Sequence, residues 1–181
     1  MLTSLVGSEM CIRDSCNGNI HNNAMNDIKN QVQIVLVETS HPGNIGSVAR
    51  AMKTMGLQNL VLVKPRNFPS KEAFVLSGNA QDLIEQAVVV NTLDEAIKNC
   101  TNIYATSART RSISWPIITA EMAGIEINKF VREGTKVSII FGREDRGLTN
   151  EELQKANKHI LIPSSEDLSL IHISEPTRLV S

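Results

Sequence analysis

Aromatic side chains are scarce: one Trp, one Tyr and four Phe make up 3% of 181 residues. A sheet that reads RNA by stacking bases on aromatic rings is therefore not expected. Cysteine is scarce too. Cys11, Cys16 and Cys100 fall in no disulfide or metal-ligand pattern, which suits a reducing cytoplasm and gives no reason to expect a metal. No apolar run approaches the ~20 residues of a membrane helix, so no membrane partner is expected. An excess of either charge is also missing. The 18 Lys and Arg face 19 Asp and Glu, for a net charge of -1. Any contact with nucleic acid must come from a local basic patch. What is present is an ordinary globular composition, 41% hydrophobic and 20% charged, in a chain of one-domain length that can bury a real core.

The two ends stand apart from the rest. Residues 1–24 contain Ser4-Leu-Val-Gly-Ser-Glu-Met-Cys-Ile-Arg-Asp-Ser15, which has neither the basic start nor the apolar stretch of a signal peptide, followed by an Asn-rich stretch. Residues 168–181 contain Leu168-Ser-Leu-Ile-His-Ile-Ser-Glu-Pro-Thr-Arg178. A codon set exists that makes these two peptides reverse-complement translations of one DNA segment, and both resemble translated adapter DNA. They are expected to be a non-native head and tail around a domain at 25–167.

Within that domain, short apolar runs alternate with helical patterns. Strands are predicted at Gln33–Glu38, Asn59–Val63, Val88–Val90, Ile103–Thr106, Lys136–Phe141 and His159–Ile162. Helices are predicted at 44–56, 70–86, from Thr92 with a capping box, at 119–132, and from Thr149. Gly56 is the expected end of the first helix. The alternation implies an α/β fold, a mostly parallel sheet with flanking helices.

Three stretches at predicted strand ends could carry chemistry. Asn44-Ile-Gly46 and Arg50 open the first helix where open α/β sheets bind ligands. The spacing is neither that of a dinucleotide fingerprint nor that of a P-loop. Phe141-Gly-Arg-Glu144 with Arg146-Gly-Leu148 is a turn whose Gly142 permits close backbone approach. Thr106-Ser-Ala-Arg-Thr-Arg111 offers small residues beside two cations. Each also reads as an ordinary surface turn, with Arg143 and Glu144 in ion pairs with each other or with neighbours. Arg50, Lys53, Arg109, Arg111, Arg143 and Arg146 would form a basic rim for RNA phosphates. His159, at a strand start, reads as structural.

Taken together and in order, these motifs and Ile160-Leu-Ile-Pro163 resemble the SpoU/TrmH branch of the SPOUT methyltransferases over Val32–Asp167. Val35-Leu-Val-Glu-Thr-Ser-His41, Ala49-Arg-Ala-Met-Lys-Thr-Met-Gly56, Thr106-Ser-Ala-Arg109 and Gly147-Leu-Thr-Asn-Glu-Glu-Leu-Gln154 are most similar to the members that methylate cytidine or uridine ribose in the tRNA anticodon loop. The resemblance implies an α/β knot fold, a homodimer, S-adenosylmethionine as cofactor and 2′-O-methylation of tRNA. It implies Arg50 as the catalytic arginine, with Asn44 and Glu144 supporting the site. Thr106, Ser107, Ala108, Gly142 and Ile162 would line the cofactor pocket. The family's Ser-Leu-Asn-type motif and closing helix do not follow Asp167. The knot is therefore expected to be incomplete, dimerisation is in doubt, and the chain as written is expected to bind cofactor poorly. An rRNA methyltransferase and a non-catalytic RNA-binding module of the same fold are the competing readings.

Overall fold

The computed structural model describes residues 31–108 and 116–162. The expected head and tail, Arg109, Arg111 and the chain after Ile162, where a knot would close, lie outside those residues. Seven strands form one sheet: β1 (Val32–Val37), β2 (Asn59–Val63), β3 (Val88–Val90), β4 (Asn102–Ser107), β5 (Ile117–Thr119), β6 (Val137–Phe141) and β7 (Lys158–Leu161). Their order is β3-β2-β1-β6-β4-β7-β5, and every pairing is parallel.

A parallel sheet is covered on both faces, which is why its strands are continuous apolar runs. Val32, Ile34 and Leu36 of β1 point to one face with Leu60 and Leu62 of β2. Val35 and Val37 point to the other with Val61 and Val63. The first face is covered by α1 (Pro42–Thr54), α3 (Gln81–Glu85) and α5 (Ala120–Arg132) through Ile45, Met52, Leu83, Ile84, Ala123 and Val131, with α2 (Lys71–Ser77) packed beside α1. The second is covered by α4 (Leu93–Ile97) and α6 (Asn150–Gln154) through Leu93, Ile97 and Leu153.

Local chemistry sets the ends of these helices. Pro42 starts α1 at a position where its missing amide hydrogen is not needed. Gly56, at φ 73°, ends it: the Leu57 amide reaches back to the Met52 carbonyl and the Gly56 amide to that of Lys53, satisfying carbonyls the helix leaves open. Thr149 and Glu152 form a reciprocal capping box on α6. At α4 only half of the expected box forms. Thr92 accepts from the Glu95 amide, but the Glu95 carboxylate accepts from Asn91 instead.

Two expectations needed correction. The helix expected over 70–86 is broken at Gly78 into α2, a 3-10 turn at Gly78–Ala80, and α3. The sequence pattern also missed β5. It has only three residues, and β7 recruits it through backbone hydrogen bonds that leave no side-chain period.

Candidate functional site

Adjacent strands β1 and β6 send their chains in opposite directions. β1 leads through α1 to β2, on one side, and β6 leads through α6 to β7, on the other. Diverging connections leave a crevice at the carboxyl ends of such a strand pair, the usual ligand position in an open α/β sheet. Residues 38–44 follow β1 into this crevice, and residues 142–148 follow β6.

Glu144 joins the two segments. Its carboxylate accepts from Asn44 Nδ2 at 2.9 Å, from the Ser40 amide at 3.1 Å, from the Ser40 hydroxyl at 2.9 Å, and from the His41 amide at 3.5 Å. Burial alone would push this carboxyl up. The hydrogen bonds from Asn44, from its own backbone and from Ser40 outweigh burial and hold it down to about 2. A group that acidic is a poor proton acceptor near neutral pH. Glu144 therefore positions the start of α1.

Arg143 points the other way. Its guanidinium donates through Nε to Glu38 at 2.9 Å and through Nη1 and Nη2 to Glu152 at 2.9 and 3.1 Å. Only 10% of its side chain is exposed. Hydrogen bonds from Arg143 hold Glu38 below the usual carboxylate range. At Glu152 burial pushes up, but Arg143 and the Thr149 amide and hydroxyl hold the carboxyl down. This is a correction to the basic rim. The donors expected to meet phosphate are committed to two carboxylates, and of the two pairings left open, with Glu144 or with other residues nearby, the second forms. The roles of Glu38 and Glu152 were not legible in sequence, because their partner lies 105 and 9 residues away.

Between these two anchors the loop folds back on itself. The Arg143 and Gly147 backbones bond to each other in both directions, with Gly147 at φ 70°. A Cβ on Gly142 would sit 2.3 Å from the backbone of Gly147 and Leu148, so only glycine closes this turn.

The ends of β6, β4 and β7 lie side by side next to the crevice. Thr106 Oγ1 donates to the Ile140 carbonyl at 3.0 Å, and the Ile162 amide donates to the Ser107 carbonyl at 3.0 Å. Ala108 is exposed, and the Ile162 side chain is 45% exposed at the strand end. The structure thus brings Thr106, Ser107, Ala108, Gly142 and Ile162 to one edge. They present small groups, backbone and one uncovered apolar side chain. An exposed apolar side chain beside small groups is a surface on which an apolar ring can lie.

Arg50 stands apart from the Glu144 cluster. It is exposed, lies about 9 Å along the helix axis from Asn44 at the usual rise, and shares the stripe of Gly43 and Gly46. That stripe meets α2 so closely that a Cβ on Gly46 would lie 2.4 Å from the Ala73 carbonyl oxygen. Arg146 is exposed and pairs with Asp145 at 3.3 Å. His159 is buried with Nε2 3.1 Å from the Leu153 carbonyl, in keeping with a structural role. Among the described residues no group of His, Cys, Asp or Glu could hold a metal ion, and no helix is long and apolar enough to cross a membrane.

Residues 31–175 match the SpoU rRNA Methylase family. The tRNA (cytidine/uridine-2'-O-)-methyltransferase TrmJ of Yersinia pestis (strain Pestoides F) is 45% identical over 150 residues, which cover 83% of this chain and 58% of that protein. The chain thus spans somewhat over half the length of this relative. A probable methylase family protein from Haemophilus influenzae Rd KW20 superposes with a TM-score of 0.70 at 44% identity, over 76% of this chain and 57% of that one. TrmJ from Z. mobilis ZM4 superposes with a TM-score of 0.69 at 34% identity, over 76% and 60%.

Proposed function

Because the chain belongs to the SpoU rRNA Methylase family, we propose that it is the catalytic domain of an S-adenosylmethionine-dependent methyltransferase acting on the ribose 2′-hydroxyl of a cytidine or uridine in the tRNA anticodon loop. The observation that carries this reading is the joining of the Asn44 and Glu144 motifs at the β1/β6 crevice, beside the open edge formed by β6, β4 and β7. The substrate follows the relatives named for that reaction.

S-adenosylmethionine supplies a methyl group already activated on sulfur. Thr106, Ser107, Ala108, Gly142 and Ile162 would hold it at the strand ends. The protein's part is then mainly orientation, bringing the 2′-hydroxyl in line with that methyl group. Asn44 and Glu144 fix the segment that enters α1. Arg50 is the catalytic cation, holding an RNA phosphate or stabilising the ribose oxygen as its proton leaves. A homodimer belongs to this reading and is supported by the uncovered apolar side chains of Met55 at the end of α1 and Val75 and Leu76 on α2.

A chimera tests the assignment. Residues 31–162 replace the matched segment of the Yersinia relative, and the product is incubated with unmodified tRNA and labelled cofactor. A methylated ribose resists alkaline cleavage at its own phosphodiester, so the modified nucleotide is expected as an uncleaved dinucleotide. Arg50→Ala is expected to lower turnover at least 100-fold while changing tRNA affinity less than tenfold, on the usual scale for a lost transition-state contact. Label found on a base, or an Arg50→Ala variant that loses only affinity, would sink the reading. The second outcome would favour a non-catalytic RNA-binding module.

A further inference from the structure

The cations of the described residues fall into two groups. Lys53, Arg143, Arg146, Lys155 and Lys158 each pair with a carboxylate. Lys64 and Arg66 do not, and neither do others such as Arg50, Lys71, Lys98 and Lys136. Lys64 and Arg66 are exposed, neither side chain has a hydrogen bond or ion pair among the described residues, and both lie in the turn after β2.

Their backbone is nonetheless closely held. Lys64 follows β2 directly and sits at φ 46°, a left-handed conformation that side chains other than Asn, Asp and Gly rarely adopt. Its amide donates to the Val90 carbonyl at 3.0 Å, and the Arg66 amide donates to the Thr39 carbonyl at 3.1 Å. Thr39 precedes Ser40, which holds Glu144. The turn is therefore bonded to the wall of the crevice, one residue from the cluster that positions α1. Lys64 also lies close enough to Glu38 for its charge to act on that carboxylate.

The carboxylates near this turn already have partners, Glu38 in Arg143 and the exposed Glu144 in Asn44 and Ser40. Lys64 and Arg66 are exposed cations on the β2 side. We propose that Lys64 and Arg66 form a phosphate-binding rim on the β2 side of the site, gripping the RNA backbone that flanks the target nucleotide. The lysine acts as a point charge, and the arginine offers a planar fork suited to two phosphate oxygens. Because the turn is held by its own backbone bonds, RNA does not have to order it. The inference rests on the RNA-substrate reading and replaces Arg143, which faces inward, with two residues outside the motifs.

The test is a salt titration of binding, which needs no methyl transfer. The affinity of the 181-residue chain for a labelled anticodon stem-loop is measured by fluorescence anisotropy across a series of KCl concentrations. Each phosphate contact contributes about 0.7 to 0.9 to the slope of log affinity against log salt. Lys64→Asn with Arg66→Gln is expected to reduce that slope by about 1.5 and weaken binding at low salt at least tenfold. Asn suits the left-handed position, and an unchanged thermal midpoint verifies the fold. The charge-matched control is Lys98→Gln with Lys136→Gln. These residues precede β4 and β6, at the opposite edge of the sheet, and the control is expected to keep the full slope. Equal slopes in the two double variants, or no change in either, overturn the proposal and leave the RNA reading standing. A wild-type chain without salt-dependent binding overturns both.

Discussion

At the scale of single residues, Glu144 shows why a charged group near a ligand crevice need not do acid-base chemistry. Its hydrogen bonds stabilise the ionised form, so its carboxyl titrates near 2 in the folded protein and in the ordinary carboxylate range once unfolded. The sign follows directly: a depressed folded value stabilises the fold above the ordinary range and loses that contribution as pH falls towards about 2. Thermal midpoints are therefore expected to fall between about pH 5 and pH 2, and Glu144→Gln should flatten part of that fall. Glu38 and Glu152 are lowered as well and keep their share in the variant. A Glu144→Gln protein whose midpoint follows pH as steeply as the wild type would show that the carboxylate is not held this way.

At the scale of elements, Arg143 and Glu144 are neighbours that serve opposite sides of one loop. Arg143 ties it to the end of β1 and to α6, and Glu144 ties it to the start of α1. Removing a buried partner of an ion pair leaves its carboxylates uncompensated, which costs about 3 kcal/mol. Arg143→Gln is expected to lower the unfolding free energy by roughly that amount in urea titrations. Arg143→Lys should lose less, because an ammonium retains the charge but cannot span both carboxylates with a rigid fork. A loss below about 0.5 kcal/mol for Arg143→Gln would mean that the network adds nothing net. The motif that sequence places at 141–148 is thus a structural junction.

At the scale of the molecule, the sheet order sets where chemistry can happen. The β1/β6 divergence makes the crevice, and the insertion of β4 between β6 and β7 sets a second group of strand ends beside it. Apolar side chains remain uncovered on the helices of the β1 side, among them Met55 and Val75. A second copy of the chain is expected to cover them. Sedimentation equilibrium should then give twice the chain mass, with Val75→Glu shifting the equilibrium towards monomer. A monomer at all accessible concentrations, with Val75→Glu making no difference, would remove the dimer from the reading.

Sequence alone determined the parallel α/β class, six of the seven strands to within a residue at each end, the caps at Gly56 and Thr149, and the two motifs that meet at Glu144. These are local properties: apolar runs, turn residues and short-range hydrogen bonds are written into neighbouring positions. Tertiary structure alone decided that Arg143 faces inward, that β5 exists, and that the turn carrying Lys64 and Arg66 is bonded to Thr39 beside the Glu144 cluster. Each depends on partners distant in the chain or on the absence of any partner. Side-chain charge looks the same in a sequence whether it is spent in an ion pair or left to meet a ligand, and only the placement of surrounding groups separates the two.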